Sequence, residues 1–189
     1  MIVTERLVLR QWRDSDVDPF ARLCADPEVM EFFPSTETYD QTRERVGSNI
    51  EFIDDHGWGK WAVEVPGVAN FIGFIGLAIP RFRTDWVEVG WRLDKPYWGF
   101  GYASEGASAA LAYGFDELGL DEIVSFTAVP NVRSQRVMQR IGMHHDPSDD
   151  FDHPNLPDGH WLRRHVLYSL ARGEWFAESR RVAAPSADV

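Results

Sequence analysis

Apolar and polar positions change rhythm several times along this 189-residue chain, and each rhythm predicts an element. Residues 4–10 alternate polar and apolar side chains and read as an opening strand. Asp14 or Ser15 is placed to cap a helix that passes through Leu23 and Cys24 and ends near Asp26-Pro27. Val46, Ile50 and Ile53 recur at helical spacing, predicting a second helix over residues 39–53, stopped by the glycines at 57 and 59. Residues 60–65 and 71–79 form a hairpin pattern around the Pro66-Gly67 turn. A strand over 86–93 runs into a glycine-bearing turn. An alanine-rich helix over 103–118 follows and ends at Gly119. A β-rich run over 122–129, a short helix over 131–141 closed by Gly142, a long strand over 160–170 and a helical turn over 172–178 complete the series. No internal repeat or separating linker interrupts it, so residues 1–178 are expected to form one domain, with 179–189 as a flexible tail.

The segment from Glu88 to Glu105 carries most of the functional information. It reads as strand, then a turn with Gly99 and Gly101, then a helix start. Glycines permit positive φ and a close backbone approach, so several amide N–H groups can converge on an anion at the positive end of the helix dipole. This is the composition of a phosphate cradle. A P-loop would need a Gly-Lys-Ser/Thr ending, but Tyr102 follows Gly101. A dinucleotide fingerprint would need Gly or Ala where Ser104 stands. It would also need an acid at the end of the next strand, whereas Asp121 and Glu122 fall at its beginning.

The run Gly99-Phe100-Gly101-Tyr102-Ala103 resembles the pyrophosphate loop of the GNAT N-acetyltransferases, and Trp98 before it resembles the RimJ/RimL-like branch. The opening residues 4–10 and the closing His165-Val-Leu-Tyr-Ser-Leu170 resemble that branch too, so the likeness covers about residues 4–175. It implies an α/β (α+β) GNAT fold: a mixed, mostly antiparallel central sheet with helices on both faces and a splayed strand pair that holds coenzyme A. It also implies acetyl transfer from acetyl-CoA, as co-substrate, to a primary amine, either a protein N-terminal α-amine or a small molecule. The competing reading is a non-catalytic acyl-CoA-binding regulatory module. By the same resemblance Trp98, Gly99, Phe100, Gly101, Tyr102, Ala103 and Ser104 hold the pyrophosphate. Trp91, Arg92 and Leu93 supply the strand end along which the pantetheine arm lies, where a backbone N–H meets the thioester oxygen.

Two catalytic candidates follow. Glu88 aligns with a strand glutamate that serves as base in some family members, and alternation puts Glu88, Gly90 and Arg92 on one strand face. A partly buried carboxylate there is expected to have a raised pKa suited to proton collection. An ion pair with Arg92 or with a neighbouring strand is the structural alternative. Asn131 and Ser134 resemble the Asn-x-x-Ser that opens a family helix, with Asn131 bonding the pantetheine amides and Ser134 donating to the departing sulfur. Both are also ordinary helix-capping residues. Arg133, Arg136 and Arg140 share that helix and either meet phosphates or form a solvated face.

Composition narrows the partners. A net charge of −11 argues against nucleic acid and suits either solubility or a cationic amine acceptor. No apolar run reaches the roughly 20 residues that span a bilayer, and no export signal is seen, so a cytoplasmic location is expected. Cys24 alone can form no internal disulfide, and the six histidines lack a convincing ligand spacing, so no metal is expected. His153 is placed at the border of the acceptor pocket. A homodimer is among the assemblies the chain leaves open.

Overall fold

Thr4 divides the expected opening strand. Its N–H donates to the Leu7 carbonyl at 2.9 Å, and its hydroxyl oxygen accepts the Leu7 N–H at 2.9 Å, which turns the chain back. Strand β1 (Ile2–Val3) therefore pairs antiparallel with β2 (Val8–Arg10). The computed structural model describes residues 1–183, and this hairpin forms one edge of their sheet.

A single 3₁₀ turn, in which Asp16 accepts the Arg13 N–H at 2.8 Å, leads into α1 (Val17–Ala25). Helix α2 (Tyr39–His56) opens with a reciprocal Thr38–Gln41 capping box and closes on left-handed Gly57. Then come β3 (Lys60–Val65), β4 (Ala69–Ala78) and β5 (Glu88–Leu93), an antiparallel meander. Helix α3 (Tyr102–Asp116), β6 (Glu122–Ala128) and α4 (Val132–Arg140) follow. The chain continues through β7 (His144–His145), β8 (Phe151–Asp152), β9 (Arg164–Ala171) and α5 (Arg172–Ala183).

Among the described residues the nine strands form one sheet in the order β1-β2-β3-β4-β5-β6-β9-β7, with β8 also on β9. Every pairing is antiparallel except β5 with β6. The mixed, mostly antiparallel architecture is the one expected. Its details differ in three places. Strands β7 and β8 are too short to show a period. Strand β9 begins at Arg164 because the loop before it turns: the Arg163 N–H bonds the His160 carbonyl, and His160 Nδ1 accepts from Leu162. Helix α5 continues past residue 178 to Ala183, and the remainder of the expected tail, 184–189, lies outside the described residues. No helix of the described residues is long and apolar enough to cross a membrane.

Helices α1 and α2 lie on one face of the sheet and α3 on the other. Phe20 of α1 meets Phe74 edge-on, with centroids 5.9 Å apart. On the opposite face α3 presents small residues. A Cβ at Gly106 would come within 2.4 Å of Ile75 Cδ1, and one at Gly114 within 2.6 Å of Ile123 Cδ1. Only glycine lets the helix sit so close, and that fixes its N-terminus against the end of β5. Leu9, Phe20, Ile72, Ile75, Leu77, Leu111, Phe115 and Ile123 are wholly excluded from solvent, each burial contributing about 1.5–3 kcal/mol.

Candidate active site

Strand β5 is hydrogen-bonded to β4 along its whole length, from Glu88–Ala78 to Leu93–Gly73. On its other edge it meets β6 only at Glu88–Val124, where the Val124 N–H bonds the Val87 carbonyl at 2.9 Å. Beyond that point the two strands diverge, and the edge of β5 at Trp91 and Leu93 is left open toward β6. Interior backbone groups are rarely left unpaired, so this edge is built to receive an extended amide-bearing ligand. A cleft of about 1230 Å³ fills the wedge.

The cleft leads to the glycine turn. Trp98 Nε1 donates to the Leu93 carbonyl at 2.8 Å, closing the end of β5 onto the loop. Gly99 (φ 83°) and Gly101 (φ 84°) are both left-handed, and Gly101 is the N-cap of α3. The first-turn amides of Tyr102, Ala103 and Ser104 have no helical acceptor, and these residues line the cleft, an arrangement suited to an anion. Phe100 is different: it is 59% exposed, stacks on Tyr102 and does not line the cleft. The loop is held from behind by the N-terminal hairpin. Arg6 donates to the Phe100 carbonyl at 3.0 Å and pairs with Glu105 at 2.6 Å, and the Thr4 hydroxyl donates to Glu105 as well. Burial pushes the Glu105 carboxyl up, but the bonds from Thr4 and Arg6 outweigh it and hold it below the usual range. Sequence reasoning missed this brace, although both residues stand in the opening motif it had singled out.

The α4 side of the wedge carries the Asn131–Ser134 pair. Asn131 Oδ1 accepts the Ser134 N–H at 3.2 Å, as an N-cap does. Its Nδ2 donates to Thr127 Oγ1 at 2.9 Å and to Ser134 Oγ at 3.1 Å. Both amide hydrogens are thus spent inside the protein, and for a ligand Asn131 retains only a lone pair on Oδ1. Ser134 accepts from Asn131, so its own hydroxyl proton remains free to be donated. Arg133 pairs with Glu31 and lies 4.7 Å from the Trp98 ring, tying α4 to the α1–α2 connection over the cleft.

On the opposite side of the sheet lies the Glu88 face. Glu88 Oε1 accepts from Lys60 Nζ at 3.0 Å, which leaves Oε2 open. The pairing is with β3, two strands away, rather than with Arg92. Gly76 and Gly90 occupy the row between, aligned with Lys60 in register, and a Cβ on Gly90 would meet nothing within 4 Å. The floor of the cleft therefore lies open between Glu88 and Arg92. The Arg92 guanidinium turns toward α1 and the α1–α2 connection: Nη1 bonds Glu37 at 3.1 Å and Cys24 Sγ at 3.2 Å. Because the Val87 carbonyl faces β6 and the Asp94 N–H faces β4, alternation gives the open edge to the backbone groups of Val89, Trp91 and Leu93, and turns those of Arg92 to β4. Burial pushes the Glu37 carboxyl up, but Arg45 and Arg92 overcome it and hold it below the ordinary carboxylate range.

A cage of Phe82, Trp86, Phe126, Phe151, His153 and His165 closes the far end. The two imidazoles lie 4.9 Å apart. Burial lowers both pKa values, and Glu88 opposes it at His153. Among the described residues no group of three or more His, Cys, Asp or Glu is placed to hold a metal ion.

An open strand edge running into a left-handed glycine turn at a helix N-terminus suits an extended, amide-bearing ligand with an anionic end. Residues 6–144 match the family model for the acetyltransferase (GNAT) domain. The chain belongs to this family. It is 34% identical over 146 residues to YkkB of Bacillus subtilis, covering 76% of this chain and 85% of that one. It is 32% identical over 174 residues to the FsC-acetyl coenzyme A-N(2)-transacetylase of Aspergillus fumigatus, covering 82% and 68% of the two. The crystal structure of a GNAT-family acetyltransferase from Bacillus anthracis superposes with a TM-score of 0.77 at 30% identity, covering 92% of this chain and 99% of that chain. The fold and the acetyltransferase class are thus established. GNAT proteins take their acetyl group from acetyl-CoA. The positive-φ glycines, the free first-turn amides and the unpaired edge of β5 all suit that molecule.

Proposed function

We propose that this protein transfers acetyl from acetyl-CoA to a primary amine by direct attack, as a RimJ/RimL-like member of the family. The reading rests above all on the divergence of β5 from β6, which opens one continuous path from the glycine turn past Ser134 to the Glu88 face. When bound, acetyl-CoA supplies the activated acetyl group and a thiolate leaving group. The open amides of β5 orient the carbonyl and support the charge that develops on its oxygen. Ser134, its oxygen already engaged by Asn131, donates its proton toward the departing sulfur. Glu88 Oε2 takes the proton of the attacking amine, directly or through one water, while Lys60 holds the other oxygen in place. The Aspergillus relative is named for transfer to an N(2) position, which agrees with a nitrogen acceptor.

The acceptor is either a protein N-terminal α-amine or a small-molecule amine. The demand on Glu88 differs between them, since an α-amine titrates near 8 and a lysine-type amine near about 10.4. Thiol release from acetyl-CoA against matched amines decides the matter. Free-α-amine peptides are compared with N-blocked lysine peptides, polyamines and amino acids. Turnover of any of these amines supports the proposal. Coenzyme binding without turnover of any amine would make this a binding module and overturn it.

A further inference from the structure

The backbone N–H groups of Gly101, Tyr102, Ala103 and Ser104 have no hydrogen-bond partner among the described residues, and all four residues line the cleft. The helix itself aims the last three. Gly101 stands before it, as N-cap, so its N–H is aimed by the peptide plane that joins it to Phe100. Nothing in glycine fixes that plane, since glycine takes φ of either sign. Turned over, the plane would present the Phe100 carbonyl oxygen where an anion is to bind.

Arg6 holds the plane from outside the cleft. Its Nη1 donates to the Phe100 carbonyl at 3.0 Å, and neither Arg6 nor Phe100 lines the cleft. No peptide bond of the described residues is cis. In a trans peptide the C=O and N–H point in opposite directions, so a carbonyl kept outside turns the Gly101 N–H inward. The Arg6 side chain is 45% exposed, and Glu105 keeps it in place. Nε and Nη2 close on Glu105 Oε2 at 2.7 and 2.6 Å, and the Arg6 N–H and Thr4 hydroxyl donate to Oε1 at 2.8 and 2.6 Å. The same contact cancels a carboxylate charge in the first turn of α3, where it would oppose an incoming phosphate.

We infer that Arg6 is a positioning residue for the coenzyme: by holding the Phe100 carbonyl outside, it keeps the Gly101 N–H aimed at the diphosphate. The inference rests on the acetyl-CoA reading of the cleft and is independent of which amine receives the acetyl group.

The test titrates coenzyme A, and pantetheine as a probe without the diphosphate, into wild type, Arg6→Ala and Arg6→Lys by calorimetry. Arg6→Ala is expected to lose about 10- to 100-fold in coenzyme A affinity and to keep its affinity for pantetheine. Arg6→Lys recovers part of the loss, since an ammonium can reach one carbonyl. Undiminished coenzyme A affinity in folded Arg6→Ala would overturn the inference. So would equal weakening of both probes, the mark of a merely structural arginine. The double variant Arg6→Ala/Glu105→Gln separates charge from orientation. It is expected to stay weak, and full recovery would reduce Arg6 to charge cancellation and sink the positioning role. Should Arg6→Ala fail to fold, the wild type decides through the NMR signal of the Gly101 amide. That signal is expected to move and to gain exchange protection when coenzyme A binds, and an unmoved signal overturns the inference. A wild type that binds no coenzyme A would remove the cradle and this role together. Binding that ignores Arg6 would remove the role alone.

Discussion

The hydroxyl of Ser134 has one proton to give, and Asn131 determines where it points. Asn131 Nδ2 occupies a lone pair of Ser134 Oγ, so the proton is directed elsewhere. Ser134→Ala is expected to lower turnover by about 100-fold while coenzyme affinity holds. Steady-state rates beside a calorimetric titration check this, and an unchanged rate would strip Ser134 of its role. Asn131→Asp separates capping from catalysis. Aspartate caps as well as asparagine does, so the melting temperature should hold, but the donor to Ser134 is gone and turnover should fall. Their place at a helix start was legible in the sequence, because Asn-x-x-Ser there is a local pattern. So was the strand face that Glu88 shares with Gly90 and Arg92, through alternation. Lys60 was not legible as the partner of Glu88, because the contact depends on the register of β3 on β4 and of β4 on β5. Nor was the Arg92–Glu37 pair, which joins positions 55 residues apart.

At the level of elements the site is a strand and a helix meeting through two left-handed glycines. Gly101→Val puts a β-branched side chain at φ 84°, with its Cβ 3.5 Å from the Arg6 guanidinium that braces the loop. Coenzyme affinity is expected to fall by about 100-fold, or about 2.8 kcal/mol. Undiminished affinity in a folded variant would remove the cradle assignment. Gly90→Val tests the neighbouring strand in the opposite sense. Nothing lies within 4 Å of the added Cβ, and valine suits a strand, so the protein should fold and bind coenzyme. The acceptor KM should rise severalfold as the cleft floor fills, and an unmoved KM would place the acceptor elsewhere. Caps, glycine stops, the Pro66-Gly67 turn and the helical period of α2 made most of these elements readable. They did not reveal the Thr4 turn, which depends on one side chain bonding its own backbone, or β7 and β8, which pair only because β9 is already in place. The divergence of β5 from β6 is a missing pairing, and no side-chain pattern along one strand records that.

The whole molecule brings His153 and His165 together, from the β8–β9 loop and from β9, inside an aromatic cage whose other walls come from β6 and the β4–β5 connection. Burial lowers the pKa of each. Glu88 partly offsets this at His153, and at His165 the Arg163 carbonyl opposes it while His153 adds to it. An unfolded histidine titrates near about 6.5, so below that pH the unfolded chain binds more protons than the folded one, and stability must fall with falling pH. The loss begins near about 6.5 and continues down to the lower folded values. Glu37 and Glu105, both held below the ordinary carboxylate range, add a second loss only at more acid pH, where their unfolded forms begin to protonate. Melting temperature against pH should thus decline in two stages. His165→Phe keeps an aromatic ring in the cage and removes one of the two proton sites, so it should shrink the first stage and leave the second in place. An identical profile for the variant and the wild type would mean that the cage does not lower the pKa of His165.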